Sequence, residues 1–197
     1  GTCPDRLAQQ FGMRSFTQDT ESPQRKGMFY LNGRSIRLRG ANTMGFEQQD
    51  VLRGDLPQLI DDILLAKLCN MNFLRLTQRP GQDEVYEYCD KLGLMTQTDL
   101  PLFGVMRRFR VPEGIRQAEE LARMVRKHPC NVVVSYINEP FPNANNEPHR
   151  HLIRPELENF FTCCDLVVKF SNPDQVIKHV DGDYDPPTDG IPDNHCY

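Results

Sequence analysis

From Met28 onward the apolar positions change period several times, and each change marks a predicted element. Phe29-Tyr30-Leu31 runs into Asn32-Gly33, a strong hairpin signal, and Ile36 and Leu38 then alternate with Arg37 and Arg39 as one strand before Gly40. A loop to Asp55 is expected next. Asp55 caps a predicted helix, with Pro57 in its first turn and Gln58 as capping-box partner, and Ile60, Ile63, Leu64 and Leu68 share one face. Asn72–Thr77 reads as a second strand, Asp83–Leu92 as a helix closed by Gly93, and Leu94–Thr98 as a third strand. Ile115, Ala118, Ala122 and Val125 mark a helix ended by Pro129. Asn131–Ile137 is β-branched and apolar enough to be buried on both faces, and Leu157, Phe160, Phe161, Cys164, Val167 and Val168 form a helical stripe. Val176–Val180 is a fifth strand, and the segment ending at Tyr197 begins a sixth.

Strand and helix alternate at the spacing of βα units, which predicts an α/β fold with a parallel sheet and helices outside it. An open doubly wound sheet and a closed barrel both fit. No G-x-G-x-x-G follows a strand and no phosphate-binding G-x-x-x-x-G-K-[ST] is present, which disfavours the nucleotide-binding version. Residues 1–27 are polar and turn-rich, with one extended candidate at Phe11–Phe16, and read as a lead-in. Residues 28–197 then hold about five or six βα units of the eight that a barrel of about 250 residues has. The expectation is a partial (β/α)8 TIM barrel, strands one to about six.

Composition narrows the function. The chain of 197 residues carries a net charge of -4 without a Lys/Arg stripe, which argues against a nucleic-acid surface, and no apolar run is long enough to span a membrane. Seven cysteines without a C-x-x-C read as reduced thiols, a pattern that favours the cytoplasm, although a chain starting at Gly1 does not display its native N-terminus. His149, His151 and His179 lack the spacing of a zinc site, so neither a metal nor a cofactor is expected.

In parallel α/β folds the chemistry lies at the C-terminal ends of the strands. Those positions are Asn42, Arg75 and Gln78, Asp99, Asn138 and Glu139, Asp181 and Asp183, then His195 and Tyr197. Glu139 follows a buried strand, where desolvation raises a carboxyl pKa as a general acid requires. Capping the next loop is its plainer use. Glu147, Asp181, Asp183, Asp185 and Asp189 are expected to be solvated loop carboxylates.

Several motifs occur in the order found in one enzyme family. They are Phe11-Gly12-Met13-Arg14, Phe29–Gly33, Leu38-Arg39-Gly40-Ala41-Asn42, Asn72-Phe73-Leu74-Arg75, Tyr88–Leu94, and Arg126–Val132 ahead of Asn138-Glu139. The chain thereby resembles the catalytic domain of glycoside hydrolase family 2, the β-galactosidase, β-mannosidase and β-glucuronidase group. The resemblance implies a hydrolase acting on terminal β-linked sugars with retention, β-galactosides first, then β-mannosides or β-glucuronides. Glu139 would be the acid/base and Asn138 would bind the sugar 2-hydroxyl. Arg75 would orient the nucleophile, and Asp99 would face the sugar or cap a turn. Asn42, His195 and Tyr197 would line the same pocket.

The resemblance also implies that residues 1–27 lead in from a β-sandwich domain, and that other domains of a longer chain accompany this one. The nucleophile, a second Glu on strand seven, has no counterpart here, so the segment alone is expected to be inactive. A homo-oligomeric state stays open. The sequence departs from the family in carrying Gln78 where many β-galactosidases have His, and in having no Trp. A carbohydrate-binding or scaffold barrel without turnover is the alternative.

Overall fold

A computed structural model of the chain describes residues 5–140, 152–182 and 191. It opens with a three-stranded antiparallel sheet, β1 (Phe16–Gln18), β2 (Phe29–Leu31) and β3 (Arg34–Ile36). The β2–β3 hairpin turns at Asn32 and Gly33, whose φ values of 51° and 76° suit the right-handed twist of the flanking strands.

Five parallel strands follow: β4 (Gly40–Thr43), β5 (Phe73–Leu76), β6 (Met95–Asp99), β7 (Asn131–Asn138) and β8 (Val176–Asp181). Their order in the sheet is their order in the chain. An open doubly wound sheet reverses direction at a switch point; this one does not, so right-handed crossovers carry every helix to the same side. The helices are α1 (Phe46–Arg53), α2 (Leu56–Leu68), α3 (Asp83–Leu92), α4 (Val111–Val125) and α5 (Arg154–Ser171). One apolar cluster joins helix residues Leu59, Val85, Leu121 and Phe160 to Leu74, Leu76, Val134 and Tyr136 on the outer strand faces. This is the arc of a (β/α)8 barrel.

A second apolar cluster closes the N-terminal ends of the strands. Phe16, Phe29, Leu31 and Ile36 of the antiparallel sheet, with Leu38, pack on Phe73, Met95, Val132, Val133 and Val176. Arg14 reinforces this contact by donating from Nε to Pro129 O at 3.1 Å and from Nη2 to Asn131 O at 2.6 Å. β4 can begin at residue 40 only because it is glycine: a Cβ there would meet the Phe73 carbonyl oxygen at 1.9 Å.

Three local expectations need correction. The alternation at 36–39 is not one strand: β3 ends at Ile36, the chain crosses beneath the barrel with Ile36 and Leu38 in the lower cluster, and β4 starts afterwards. The expected loop before Asp55 contains α1, bounded by Gly45 and Gly54 in the left-handed region. Its pattern is inverted, with Glu47, Gln48 and Asp50 buried and Leu52 exposed, so no apolar stripe announces it. In α2 the buried residues are Leu59 and Ile63, whereas Leu64 and Leu68 are exposed. Apolar residues surround most of that helix, and packing against the neighbouring helices chose the face.

The Asp55 cap is present, accepting from Gln58 N at 3.2 Å, but the Gln58 side chain reaches to Asp62 instead of closing the box. The sixth strand lies outside the described residues.

Candidate active site

Parallel pairing aligns the polar interruptions of otherwise apolar strands. Asn42 is the register partner of Arg75, Arg75 of Gln97, Asp99 of Ser135, Ser135 of Lys178, and Asn138 of Asp181. On β5 the alternation sends Leu74 and Leu76 to the helices and Arg75 to the barrel interior. The result is a row of charged and amide side chains along the inner face, toward the C-terminal ends of the strands.

Arg75 is the hub. Its Nη2 donates to Asp99 Oδ2 at 2.6 Å and to Asn138 Oδ1 at 2.7 Å, and lies 3.2 Å from Asp181 Oδ2; its Nε donates to Asp99 Oδ2 at 3.0 Å. Asp99 also accepts from Gln78 N at 3.0 Å and from Gln97 Nε2 at 3.0 Å. Asp181 accepts from Gln97 Nε2 at 2.9 Å, from Lys178 Nζ at 2.8 Å and from Ser135 Oγ. Two carboxylates are thus matched by two cations, all four side chains buried. Burial in such a place is tolerable only when each charge has partners. Burial raises the Asp99 carboxyl above its ordinary value and the nearby Asp181 charge adds to this, while Arg75 opposes both.

Asn138 is buried at the tip of β7, its N–H donating to Leu102 O and its carbonyl accepting from Gly104 N. Glu139 follows, half-buried, with φ 49°, and donates its N–H to Asp181 O at 2.8 Å. Gln78, just after β5, has φ 63°. Left-handed backbone costs a non-glycine residue on the order of 1–3 kcal/mol and persists only where surrounding contacts hold it. Here the N–H of each is held inward, on Asp99 and on Asp181 respectively.

Of the residues singled out in the sequence, Arg75, Asp99 and Asn138 are brought into direct contact, with Glu139 beside them. Asn42 is exposed and lines a cavity of about 390 Å³ together with Phe73, Arg75, Gln97 and Lys178. Asp99 is 1% exposed and takes the turn contact with Gln78 in addition to its ion pair. His195 and Tyr197 lie outside the described residues, as do Glu147, Asp183, Asp185, Asp189, His149 and His151.

The expectation for Asp181 is overturned. It is not a solvated loop carboxylate but the last residue of β8, 2% exposed and bonded on both oxygens. Gln97, Ser135 and Lys178 escaped notice as well. Polar residues at the inward-facing phase of buried strands were the available signal.

Among the described residues no group of three His, Cys, Asp or Glu side chains is placed to hold a metal ion, and no helix is long and apolar enough to cross a membrane. His128 pairs with Asp90, and His179 with Asp165.

Known proteins resemble the chain in sequence and in fold. Residues 24–156 match the family described as "Glycosyl hydrolases family 2, TIM barrel domain". A β-galactosidase of Klebsiella pneumoniae is 26% identical over 140 residues, covering 65% of this chain but 13% of the relative. Among solved structures, a Bacteroides uniformis β-glucuronidase superposes with a TM-score of 0.68 at 23% identity, covering 88% of this chain and 21% of that one. A β-D-mannosidase from Dictyoglomus thermophilum gives 0.65 at 20% identity, covering 95% and 24%. The chain therefore spans a small part of the length of the proteins it matches.

Proposed function

Because the chain belongs to glycosyl hydrolase family 2, through its TIM barrel domain, we propose that it carries the acid/base half of a retaining exo-β-glycosidase site. The observation that carries this reading is the Asn138-Glu139 pair at the tip of β7, with Asn138 Oδ1 held by Arg75 at 2.7 Å. With Oδ1 accepting from Arg75, the Asn138 amide offers Nδ2 as donor to the sugar 2-hydroxyl. That bond strengthens as positive charge develops at the anomeric carbon.

In the first step a carboxylate nucleophile from elsewhere in the longer protein attacks the anomeric carbon. The glycosidic C–O bond breaks, and Glu139 gives its proton to the departing oxygen. In the second step Glu139 takes a proton from water, the oxygen of that water attacks the anomeric carbon, and the nucleophile leaves as a carboxylate. Retention requires the two carboxyl groups about 5–5.5 Å apart. In this reading the Arg75 charge favours the ionised nucleophile. A β-galactoside is the first substrate to test, since the relative from Klebsiella pneumoniae is named a β-galactosidase; β-mannosides and β-glucuronides follow.

The test uses the full-length protein and phenyl β-galactoside, β-mannoside and β-glucuronide. Glu139→Gln is expected to lower kcat/KM on the accepted substrate by about 10²–10⁴-fold. Turnover unaltered by that substitution removes Glu139 from the chemistry. Sugar binding by the wild type without turnover favours a non-catalytic barrel.

A further inference from the structure

The backbone of Glu139 is held from two sides. On one side the preceding residue, Asn138, is clamped to the 102–104 segment through Leu102 O and Gly104 N. On the other side the Glu139 N–H donates to the carbonyl oxygen of Asp181. The position of that oxygen depends on what anchors the end of β8.

Four strands, β8 itself among them, contribute to the anchor, all through one side chain. The Asp181 carboxylate receives Ser135 Oγ from β7, Gln97 Nε2 from β6 at 2.9 Å and Lys178 Nζ from β8 itself at 2.8 Å. It also lies 3.2 Å from Arg75 Nη2 of β5. Gly182, immediately after it, has φ 77°, in the left-handed region. A carboxylate this fully engaged leaves the β8 tip little freedom, and the strand-to-strand register of Asn138 with Asp181 transmits that restriction to β7.

We propose that Asp181 is a positioning residue for the proton donor: its carboxylate pins the β8 tip, and the β8 tip holds Glu139 in its left-handed backbone conformation. This rests on the acid/base reading of Glu139. The side chain of Asp181 acts through the backbone bond and through Arg75, which it shares with Asn138, and does not itself touch the reacting atoms. Lys178 balances its charge inside the barrel.

A misplaced proton donor has a signature that general loss of structure lacks. A phenyl glycoside needs its departing oxygen protonated, whereas a dinitrophenyl glycoside departs as a stable anion without help. In the full-length protein, Asp181→Asn is expected to lower kcat/KM for the phenyl glycoside by about 10²-fold and for the dinitrophenyl glycoside by less than about fivefold. Ser135→Ala removes one donor and leaves no charge unmatched, and a split of about fivefold in the same direction is expected from it. Should Asp181→Asn fail to fold, Ser135→Ala decides.

Equal losses on the two substrates, or no loss on either, overturn the positioning role when Glu139→Gln in the same assay shows the split. If Glu139→Gln shows no split, the acid/base reading itself has failed. The two failures are therefore distinguishable.

Discussion

The two ends of the barrel arc are buried to a similar degree by opposite means. At the N-terminal ends of the strands, Phe16 is 1% exposed, stacks on Phe29 at 5.4 Å and meets Met95, Val132 and Val133 in an apolar cluster, with Arg14 at its edge. Toward the C-terminal ends, Arg75, Asp99, Asn138 and Asp181 are each 5% exposed or less, yet all are polar or charged. Apolar burial is non-directional, so the lower end has only to exclude water and fill space. The upper end is held by directed bonds, each of which fixes a side-chain orientation, and losing one leaves another group buried without a partner. Removing one contact therefore has different consequences at the two ends: volume is lost below, and orientation and charge balance are lost above.

Substitutions in the full-length protein sharpen this contrast, beginning with the largest effect. Arg75→Leu leaves Asp99 without its cation and Asp181 with Lys178 alone, and breaking a buried pair in this way costs about 3–5 kcal/mol. Glycoside turnover should disappear, and amide exchange of the β6 and β8 peptides should accelerate together. Phe16→Ala is expected to cost about 3 kcal/mol through the cavity it leaves, with faster exchange at the starts of β6 and β7. Its kcat should stay near that of the wild type, because Phe16 makes none of the bonds that hold Arg75, Asp99, Asn138 and Asp181. An equal loss of kcat in the two variants would break the comparison. Arg14→Leu removes donors from Pro129 O and Asn131 O and is expected to cost about 1–2 kcal/mol, again at the lower end and without an effect on kcat.

The smallest effect belongs to Glu47, at the upper end. Burial raises its carboxyl above the ordinary value of 4.5, and Oε2 has no partner among the described residues. The fold therefore prefers the neutral acid. Its contribution is fully present below the unfolded-state pKa and is lost as pH rises through the higher folded value. Glu47→Gln stays neutral throughout. It should slow exchange in the α1 peptide relative to wild type at pH 7, and the difference should vanish once the pH falls below about 4. A difference that grew toward acid pH would contradict the assigned direction.

What could be read in advance follows the same physical division. α3 and its Gly93 cap were legible because an amphipathic stripe and a left-handed glycine are local signals. β7 was legible because a β-branched apolar run has few other uses. α1 was not, since its buried face is polar, and the face of α2 was not, since nearly every face is apolar. At the site, Asn138-Glu139 was visible as a motif, and Arg75 as a charge inside an apolar strand. Asp181 reads as a loop residue in the sequence because the stretch around it is turn-rich, and its anchors are 46 residues away at Ser135 and 84 at Gln97.

The sequence by itself determined the alternation of strands and helices, the hairpin at Asn32-Gly33, and the acid at the end of β7, because each depends on residues close together in the chain. The tertiary structure decided that the sheet runs in unreversed order, that the antiparallel sheet packs against the barrel's lower end, and that Arg75, Asp99, Asn138 and Asp181 form one network. Strand order and charge pairing are set by which distant surfaces meet. A buried carboxylate is distinguished from a solvated one by the partners the fold brings to it, not by its neighbours in sequence.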